Sequence, residues 1–524
     1  VSSETNGGTA PWDTIPQMLQ DVCAGPARER CALQDGDQRF TYAELFDAVR
    51  TVSAKLAAAG VEPGTPVGIW ARNSWRWVLG ALATWWRGAI VVPIPAGAKR
   101  LEAAPLVKRF RLELLLVDET TQAMDAGWEH IVKDCRVISL RAGGPGAVES
   151  LTQWLATRPA ATGCAPAQVN GEDSCEWLFT SGSTGRPKAV IRRHSQVLHN
   201  RYQSSLRRGF QGDDTLLALS PFSHTLGLNG TLLRSLMLGA TLVLARDPSP
   251  RGIATSILED GVSAISAPPS LFRLLLELEA GGPPLIRRLR ILSIGSDKLS
   301  ADLVTRLADA GAGTISCGYG MTECDSIASA TSDLGSRALA TTVGVPEHGI
   351  SVRIADAGDR PLADGERGEI QVRGYTTTPG YVDDDAATAR LYTDDGWLRT
   401  GDLGWRTDEG YLQILGRLKE VIVSHGYTLY PAEIEGLLLQ SSMLAAVAVF
   451  GLPGALGGES CCAAVVPDDP GAFQARDLAR WARDNLTPYK VPARFFVLDK
   501  LPLNDNGKVD RQRLRDRFTA ATHD

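Results

Sequence analysis

What the chain has little of narrows it first. Its nine cysteines include no C-x-x-C pair, and Cys461 and Cys462 simply adjoin. That is neither a zinc spacing nor a disulfide framework, and an odd count suits a reducing cytosol, so a cytoplasmic location is expected. Seven histidines form no H-E-x-x-H or comparable pattern, which argues against a transition-metal site. Charge of one sign is scarce too. With 54 Lys and Arg against 60 Asp and Glu, the net charge is only −6, and a nucleic-acid partner is not expected. No run of about eighteen apolar residues is free of charge, so no membrane span is expected. The strongest stretch, "TLLRSLMLGATLVLA", contains Arg234 and Gly239 and reads as a helix followed by a strand. The start, "VSSETNGGTAPWD", has neither the basic opening nor the apolar core of a signal peptide, and residues 1–12 are expected to form a disordered tail.

What is present is a long chain with ordinary globular composition: 524 residues, 44% hydrophobic and 22% charged. That length calls for two or more domains. Helical and strand-like segments alternate from the start. "SWRWVLGALATWWRG" opens on a cap at Ser74, sets Trp75, Val78, Leu79 and Leu82 on one face, closes at Gly88 and runs into the buried strand "AIVVPI". Its tryptophans read as core. The rhythm continues through "TLLALS", a helix ending near Gly239, "ATLVLA", "RGIATSILEDG", "VSAISA", "SLFRLLLELEA", "LRILSIG", "SADLVTRLADAG" and "GTISCGYG". Such alternation implies parallel sheet with helices on both faces. After about residue 340, short strands and Gly/Pro/Asp turns suggest a small antiparallel sheet or barrel, and the last hundred residues read as a compact α+β unit.

One loop carries chemistry. "WLFTSGSTGRPKAVIRRH", residues 177–194, packs hydroxyls, glycines and a lysine behind an apolar run. A Walker A loop needs G-x-x-x-x-G-K-[ST] opening a helix. Here Pro187 precedes Lys188, Ala189 follows it, and "AVI" continues as a strand, so the kinase reading fails. A plain polar turn remains open on the spacing alone. The density of donors favours a grip on nucleotide phosphates.

"FTSGSTGRPKAV" resembles the signature of the adenylate-forming superfamily of acyl-CoA synthetases, carrier-loading adenylation domains and beetle luciferases. Four further motifs stand in that family's order: "GYGMTE" (318–323), "WLRTGDLGW" (397–405), "GRLKEVIVSHGYTLYPAEIE" (416–435) and "LPLNDNGKVDR" (501–511). The resemblance spans most of the chain. It implies an α/β fold: a large N-terminal domain, residues 13–417, with two doubly wound sheets and a small β-barrel, then a small mobile α+β domain, residues 418–524. It also implies an activity. An acid attacks the α-phosphate of ATP to give an acyl-adenylate, and a thiol then displaces AMP.

The resemblance assigns roles residue by residue. Thr180, Ser181, Gly182, Ser183, Thr184, Gly185 and Lys188 would hold the ATP phosphates, with Gly295 and Ser296 also in the ATP site. Glu323 would bind Mg²⁺, for which one carboxylate plus phosphate oxygens suffices. Thr322 would bond the α-phosphate, and Tyr319 would stack on adenine. Asp402 would accept the ribose hydroxyls, Arg417 would add a second ribose contact, and Lys419 would be the interdomain hinge. Lys508 would be the lysine of adenylation. After rotation of the small domain, Gly426 would line the thiol's tunnel and His224 would act as a gate between acid and thiol pockets. Read without the resemblance, Glu323, Asp402 and Lys508 are ordinary solvated residues of turns and loops.

The acid pocket implied comprises His224, Thr225, Leu226, Gly227, Asn229, Ile294, Gly318, Ser326 and Ile327. Gly318 would keep its floor open. Thr225 stands where amino-acid-loading relatives carry an acidic residue, so an α-amino acid is not expected. Mostly apolar lining suits a small aromatic or medium aliphatic carboxylic acid, with little charge recognition. The chain ends sixteen residues past Lys508 without a carrier-domain serine, so a free-standing enzyme is expected. Its acceptor is either CoA or the phosphopantetheine thiol of a discrete acyl- or peptidyl-carrier protein.

Overall fold

The structure is a computed structural model that describes residues 9–118, 135–141, 149–156, 165–181, 187–295, 299–418, 422–424, 427–429, 431–454, 458–502 and 509–520. Among the described residues the alternation of helix and strand builds two large sheets. One runs in spatial order Arg136–Ser139, Leu114–Val117, Pro66–Trp70, Ile90–Ile94, Ser174–Ser181 and Pro187–Arg193. All neighbours in it are parallel except the last pair. The other runs Val345–Pro346, Asp325–Thr331, Thr314–Met321, Ile291–Ile294, Ala264–Ala267, Thr215–Ala218, Thr241–Leu244, Cys31–Asp35 and Gln38–Thr41. Its centre is parallel, and antiparallel strands flank it at both ends. Strands covered on both faces are largely apolar, as in Ile90–Ile94 and, Ser293 apart, Ile291–Ile294, where every residue is buried.

The helix Trp75–Trp86 shows how the layers lock. Ser74 Oγ accepts from the Trp77 N–H at 3.2 Å, which caps the first turn. Beyond its end, Gly88 takes the left-handed φ of +67° that a side chain would strain. Trp77, Trp85 and Trp86 are among the largest fully buried side chains. Each removes roughly 150–250 Å² from water, a gross gain of about 4–6 kcal/mol before entropy is subtracted. Trp85 Nε1 also donates to the Cys175 carbonyl at 2.8 Å, tying the helix to the strand that leads into the glycine-rich loop.

The small β unit is an antiparallel sheet of Ile350–Ala355, Gly368–Gly374, Leu398–Arg406 and Leu412–Arg417. Beyond it, the hairpin Ile422–Ser424/Tyr427–Leu429 and the sheet Leu444–Pro453, Glu459–Pro467, Arg494–Val497 pack with helices Pro431–Leu438, Ala475–Asn485 and Arg511–Ala520. Ile422, Leu429, Ile434, Val449 and Leu478 form the centre of that second core, and Leu101 of the large domain packs against it.

Two local expectations change. The tail expected over 1–12 is packed in its described part. Ala10 is buried, its N–H donating to His199 Nδ1 at 2.9 Å, and Trp12 meets Tyr202 edge-on at 6.5 Å; residues 1–8 lie outside the described residues. The helix ending at Gly239 is not uniform either. It starts with a turn at Thr225–Gly227, widens to a π-helix at Leu228–Leu233 and returns to α geometry at Arg234–Leu238. Thr231 Oγ1 donates back to the Leu226 carbonyl at 3.2 Å across the wide turn. No described helix is long and apolar enough to cross a membrane.

Candidate active site

The strands Ser174–Ser181 and Pro187–Arg193 pair antiparallel with Thr180 opposite Lys188, so the glycine-rich loop joins two adjacent strands. Gly182, Ser183, Thr184 and Gly185 lie outside the described residues, and Ser181 contributes backbone pairing to Pro187. Lys188 is a strand residue, as "AVI" leads one to expect. Its Nζ sits 4.5 Å from the centre of the Tyr381 ring, a favourable site for an ammonium. Tyr381 OH in turn donates to Glu323 Oε1 at 2.8 Å. Two motifs 135 positions apart, at Lys188 and Glu323, are therefore bridged by one aromatic ring.

Glu323 owes its position to a tight reversal. The strand Thr314–Met321 slips register between Tyr319 and Gly320 and folds back into Asp325–Thr331. A Cβ on Gly320 would stand 2.0 Å from the Asp325 carbonyl oxygen, so only glycine closes this turn. The turn carries Thr322 and Glu323 at the carboxyl end of a parallel-sheet strand, the edge where ligands of open α/β sheets collect. Tyr319 faces the small β sheet. Its OH donates to Asp402 Oδ2 at 2.6 Å, and burial together with Asp402 holds the phenol well above its ordinary pKa, so it stays a donor. Asp402 is buried, its N–H donating to Thr400 Oγ1 at 3.1 Å, and it lies opposite Arg417 in the sheet. Gly295 ends the strand Ile291–Ile294 beside open space, with nothing within 4 Å of an added Cβ.

A single carboxylate such as Glu323 fits Mg²⁺ that completes its shell with phosphate oxygens and water, whereas no cluster of three candidate ligands occurs among the described residues. Lys508, Gly426, Lys419 and Ser296 lie outside the described residues.

The turn from His224 to Asn229 carries five of the positions expected to line the acid pocket. A Cβ on Gly227 would stand 2.2 Å from the Pro221 carbonyl, so the chain doubles back tightly there. The His224 ring packs against Tyr427 at 5.6 Å and Tyr489 at 6.4 Å, and those two rings stack at 4.0 Å. Burial, with Lys490 nearby, pushes the imidazole down to about 4, so it is neutral at pH 7. Asn229 Nδ2 donates to Glu176 Oε1 at 2.7 Å. Glu176 is fully buried, and burial pushes its carboxyl up to about 7. Leu226 packs against Gly230, Ile294 and Ile327 are buried and apolar, and Thr225 Oγ1 has no partner among the described residues.

The floor at Gly318 differs from expectation. An added Cβ there would lie 2.3 Å from Arg208 Nη2, so the room left by the glycine is taken by a guanidinium. That nitrogen donates to Ser326 Oγ at 3.0 Å, placing Arg208 between two of the expected pocket positions. Asp325 is buried and held by Arg201 and Arg192. Sequence reasoning missed Arg208, Glu176 and Tyr381. Glu176 carried a signal, a lone acid inside the apolar strand "SCEWLF". Arg207 and Arg208 end a helix before Gly209, a pattern that ordinarily reads as solvated cations at a C-terminus.

Compared with known proteins, the AMP-binding enzyme profile matches residues 19–382 and the AMP-binding enzyme C-terminal domain matches residues 433–508. The chain belongs to the AMP-binding enzyme family. Among curated relatives, 3-[(3aS,4S,7aS)-7a-methyl-1,5-dioxo-octahydro-1H-inden-4-yl]propanoyl:CoA ligase of Mycobacterium tuberculosis is 32% identical, with 96% of this chain and 98% of the relative covered. Feruloyl-CoA synthase of an Amycolatopsis species is 29% identical over 93% of this chain and 96% of its own. Of solved structures, a double mutant of o-succinylbenzoate CoA synthetase from Bacillus subtilis, bound with its product analogue, superposes with a TM-score of 0.83 at 28% identity, covering 96% of this chain and 98% of that one. For an AMP-binding enzyme the α/β architecture and the order of the motifs are as the resemblance implies.

Proposed function

We propose that this AMP-binding enzyme activates a small carboxylic acid with ATP and Mg²⁺ and transfers the acyl group to CoA. The observation that carries the reading is the convergence of distant motifs through two phenols, Lys188 and Glu323 through Tyr381, and Asp402 through Tyr319. In the first step an acid oxygen attacks the α-phosphorus as the bond to pyrophosphate breaks. Negative charge gathers on the phosphoryl oxygens, so the task is placing donors and cations. Lys188, Thr180 and the loop between them would follow the departing phosphates, and Thr322 and Lys508 would bond the α-phosphate. Asp402 and Arg417 would hold the ribose. Bound at Glu323, Mg²⁺ would neutralise phosphate charge.

In the second step the thiol sulfur attacks the acyl carbon and AMP leaves. Tyr427, next in the chain to Gly426, packs on His224. That contact supports an arrangement of the small domain in which the Gly426 loop faces the acid pocket and His224 closes it, with Lys419 as the pivot. The curated relatives are CoA ligases of feruloyl, 2-succinylbenzoyl and dioxo-indenyl-propanoyl groups, which supports an aromatic or medium aliphatic acid and free CoA rather than a carrier protein. The free state of the described cysteines accords with a reducing cytoplasm.

Acid-dependent ATP–pyrophosphate exchange across benzoates, cinnamates, alicyclic propanoates and fatty acids tests the first half-reaction, with Lys508→Ala as the control that loses it. Thioester formation with CoA against a phosphopantetheinylated carrier protein tests the second. Exchange without transfer to either thiol would remove the ligase reading and leave adenylation.

A further inference from the structure

Arg208 lies against two of the positions expected to line the acid pocket, Gly318 and Ser326. Arg208 leaves the C-terminus of the helix His194–Arg207 and turns inward, only 6% exposed. Its guanidinium fills the space over Gly318 and donates to Ser326 Oγ, while Glu347 Oε1 stands 3.7 Å away. Its Nε has no hydrogen-bond partner among the described residues. A guanidinium offers five N–H donors, and one is used here.

The described surroundings do not supply the missing acceptors. Arg192, Arg201, Arg208 and Arg234 are all buried in this region. Asp325 is shared by Arg192 and Arg201, and Glu347 by Arg207 and Arg208. Among the described residues Arg234 bonds to the Ser204 and Ser205 hydroxyls alone, and it lies over the Phe210 ring at 4.2 Å. The third acid, Glu176, is drawn toward its neutral form by burial. Among the described residues of this region, four buried guanidiniums thus face three buried acids, Asp325, Glu347 and Glu176. Thr225 Oγ1 and Asn229 Oδ1, on the turn from His224 to Asn229, also lack partners among the described residues. Of these groups, the Arg208 guanidinium and the Thr225 hydroxyl can donate to a ligand oxygen, whereas Asn229 Oδ1 accepts and calls for a donor.

We propose that Arg208 is a specificity-determining residue that binds an oxygen acceptor, a second carboxylate or a ring ketone, at the far end of the substrate acid. The acids this enzyme takes are then oxygenated at both ends rather than plain hydrocarbons. This rests on the adenylation reading. The excess of guanidinium over carboxylate ranks the carboxylate first, because it offsets charge as well as accepting N–H bonds.

The test uses the full-length enzyme and ATP–pyrophosphate exchange with matched acids that differ only at the distal position: carboxylate, ketone or methylene. The wild type is expected to show kcat/KM about 100-fold higher for the oxygenated acids than for the methylene analogue, the upper scale for leaving one buried donor unpaired. Arg208→Leu is expected to bring that ratio close to one, chiefly through KM, and Arg208→Lys to restore part of the preference for the carboxylate. Equal kcat/KM across the matched acids in the wild type overturns the proposal whatever the variants do. So does an unchanged ratio in Arg208→Leu. Exchange with none of the acids removes adenylation itself, a failure separable from loss of discrimination.

Discussion

At Glu176 the folded chain keeps a carboxylic acid protonated at a pH where an exposed one is ionised. Its pKa rises from the ordinary 4.5 to about 7. Between those values the folded state holds a proton the unfolded state has lost, so this group's contribution to stability falls as pH rises through the window and stays low above it. His224 works in the opposite sense. Its pKa falls from 6.5 to about 4, so unfolding takes up a proton between those values, and stability is lost as pH falls from 6.5 toward 4. The two slopes overlap and oppose one another. Glu176→Gln keeps an acceptor for Asn229 and removes one slope; its melting temperature is expected to rise with pH between 4.5 and 6.5. The melting temperature of His224→Phe is expected to rise less with pH than that of the wild type across the same range, because one of two imidazoles lowered to about 4 is gone and His194 remains to oppose Glu176. Thermal melts at half-unit pH steps check both, with differences on the order of 1–3 kcal/mol. Parallel profiles for the two variants would remove the assignment. Tyr381→Phe makes a further case at this scale. It keeps the ring beneath Lys188 and deletes the donor to Glu323, so exchange is expected to need about tenfold more Mg²⁺ for half-maximal rate at an unchanged melting temperature.

Among the elements, the reversal at Gly320 is where backbone geometry and chemistry meet most closely. Gly320→Ala would press a methyl against the Asp325 carbonyl at 2.0 Å, forcing the turn open and displacing Glu323 from Tyr381. Exchange is expected to fall at least about 100-fold, because small misplacements of reacting groups are costly, while circular dichroism stays that of the wild type. Activity within a factor of two would mean that the turn has slack. The same comparison shows what the chain's letters disclose. "SWRWVLGALATWWRG" could be read because its cap, its apolar face and its terminal glycine agree, and helix Trp75–Trp86 follows. The motif positions at Glu323 and Asp402 could be read only through the family resemblance; by themselves they read as solvated residues of turns, whereas both are buried. The π-helix at Leu228–Leu233 could not be read. It depends on how closely Gly227 approaches Pro221, a contact between backbone atoms that no hydrophobic period records. Arg208 was hidden for a different reason. An arginine at a helix C-terminus suits solvent equally well, and only the missing Cβ of Gly318, 110 positions away, leaves room for it inside.

Across the whole molecule, the two domains meet at a small polar latch beside the aromatic contact. Glu102, buried on the helix Arg100–Arg109, accepts from Thr487 Oγ1 at 2.7 Å and from Lys490 Nζ at 3.1 Å, while its Oε2 also accepts the Lys99 N–H at 3.1 Å. Beside it, Gly97 lies so close to Pro488 that an added Cβ would sit 3.1 Å from the proline ring. The latch and the Tyr427–Tyr489 stack hold the hairpin of the small domain over His224, the arrangement that the proposed role of His224 assigns to the thiol step. Adenylation would require the small domain to leave it and bring Lys508 in. Removing the latch therefore weakens one orientation without touching the other. Glu102→Ala deletes two interdomain bonds, about 1–3 kcal/mol, or roughly tenfold to a hundredfold in the occupancy of the docked arrangement. Transfer of a preformed acyl-adenylate to CoA in a single turnover is expected to slow by about tenfold, while ATP–pyrophosphate exchange holds or rises. Tyr427→Ala is expected to give the same split by removing the stacking partner of Tyr489. If Glu102→Ala lowered both half-reactions together with the melting temperature, Glu102 would be a support of the fold. If exchange alone fell, the docked arrangement would belong to adenylation, and the roles given to Gly426 and Lys508 would have to be exchanged.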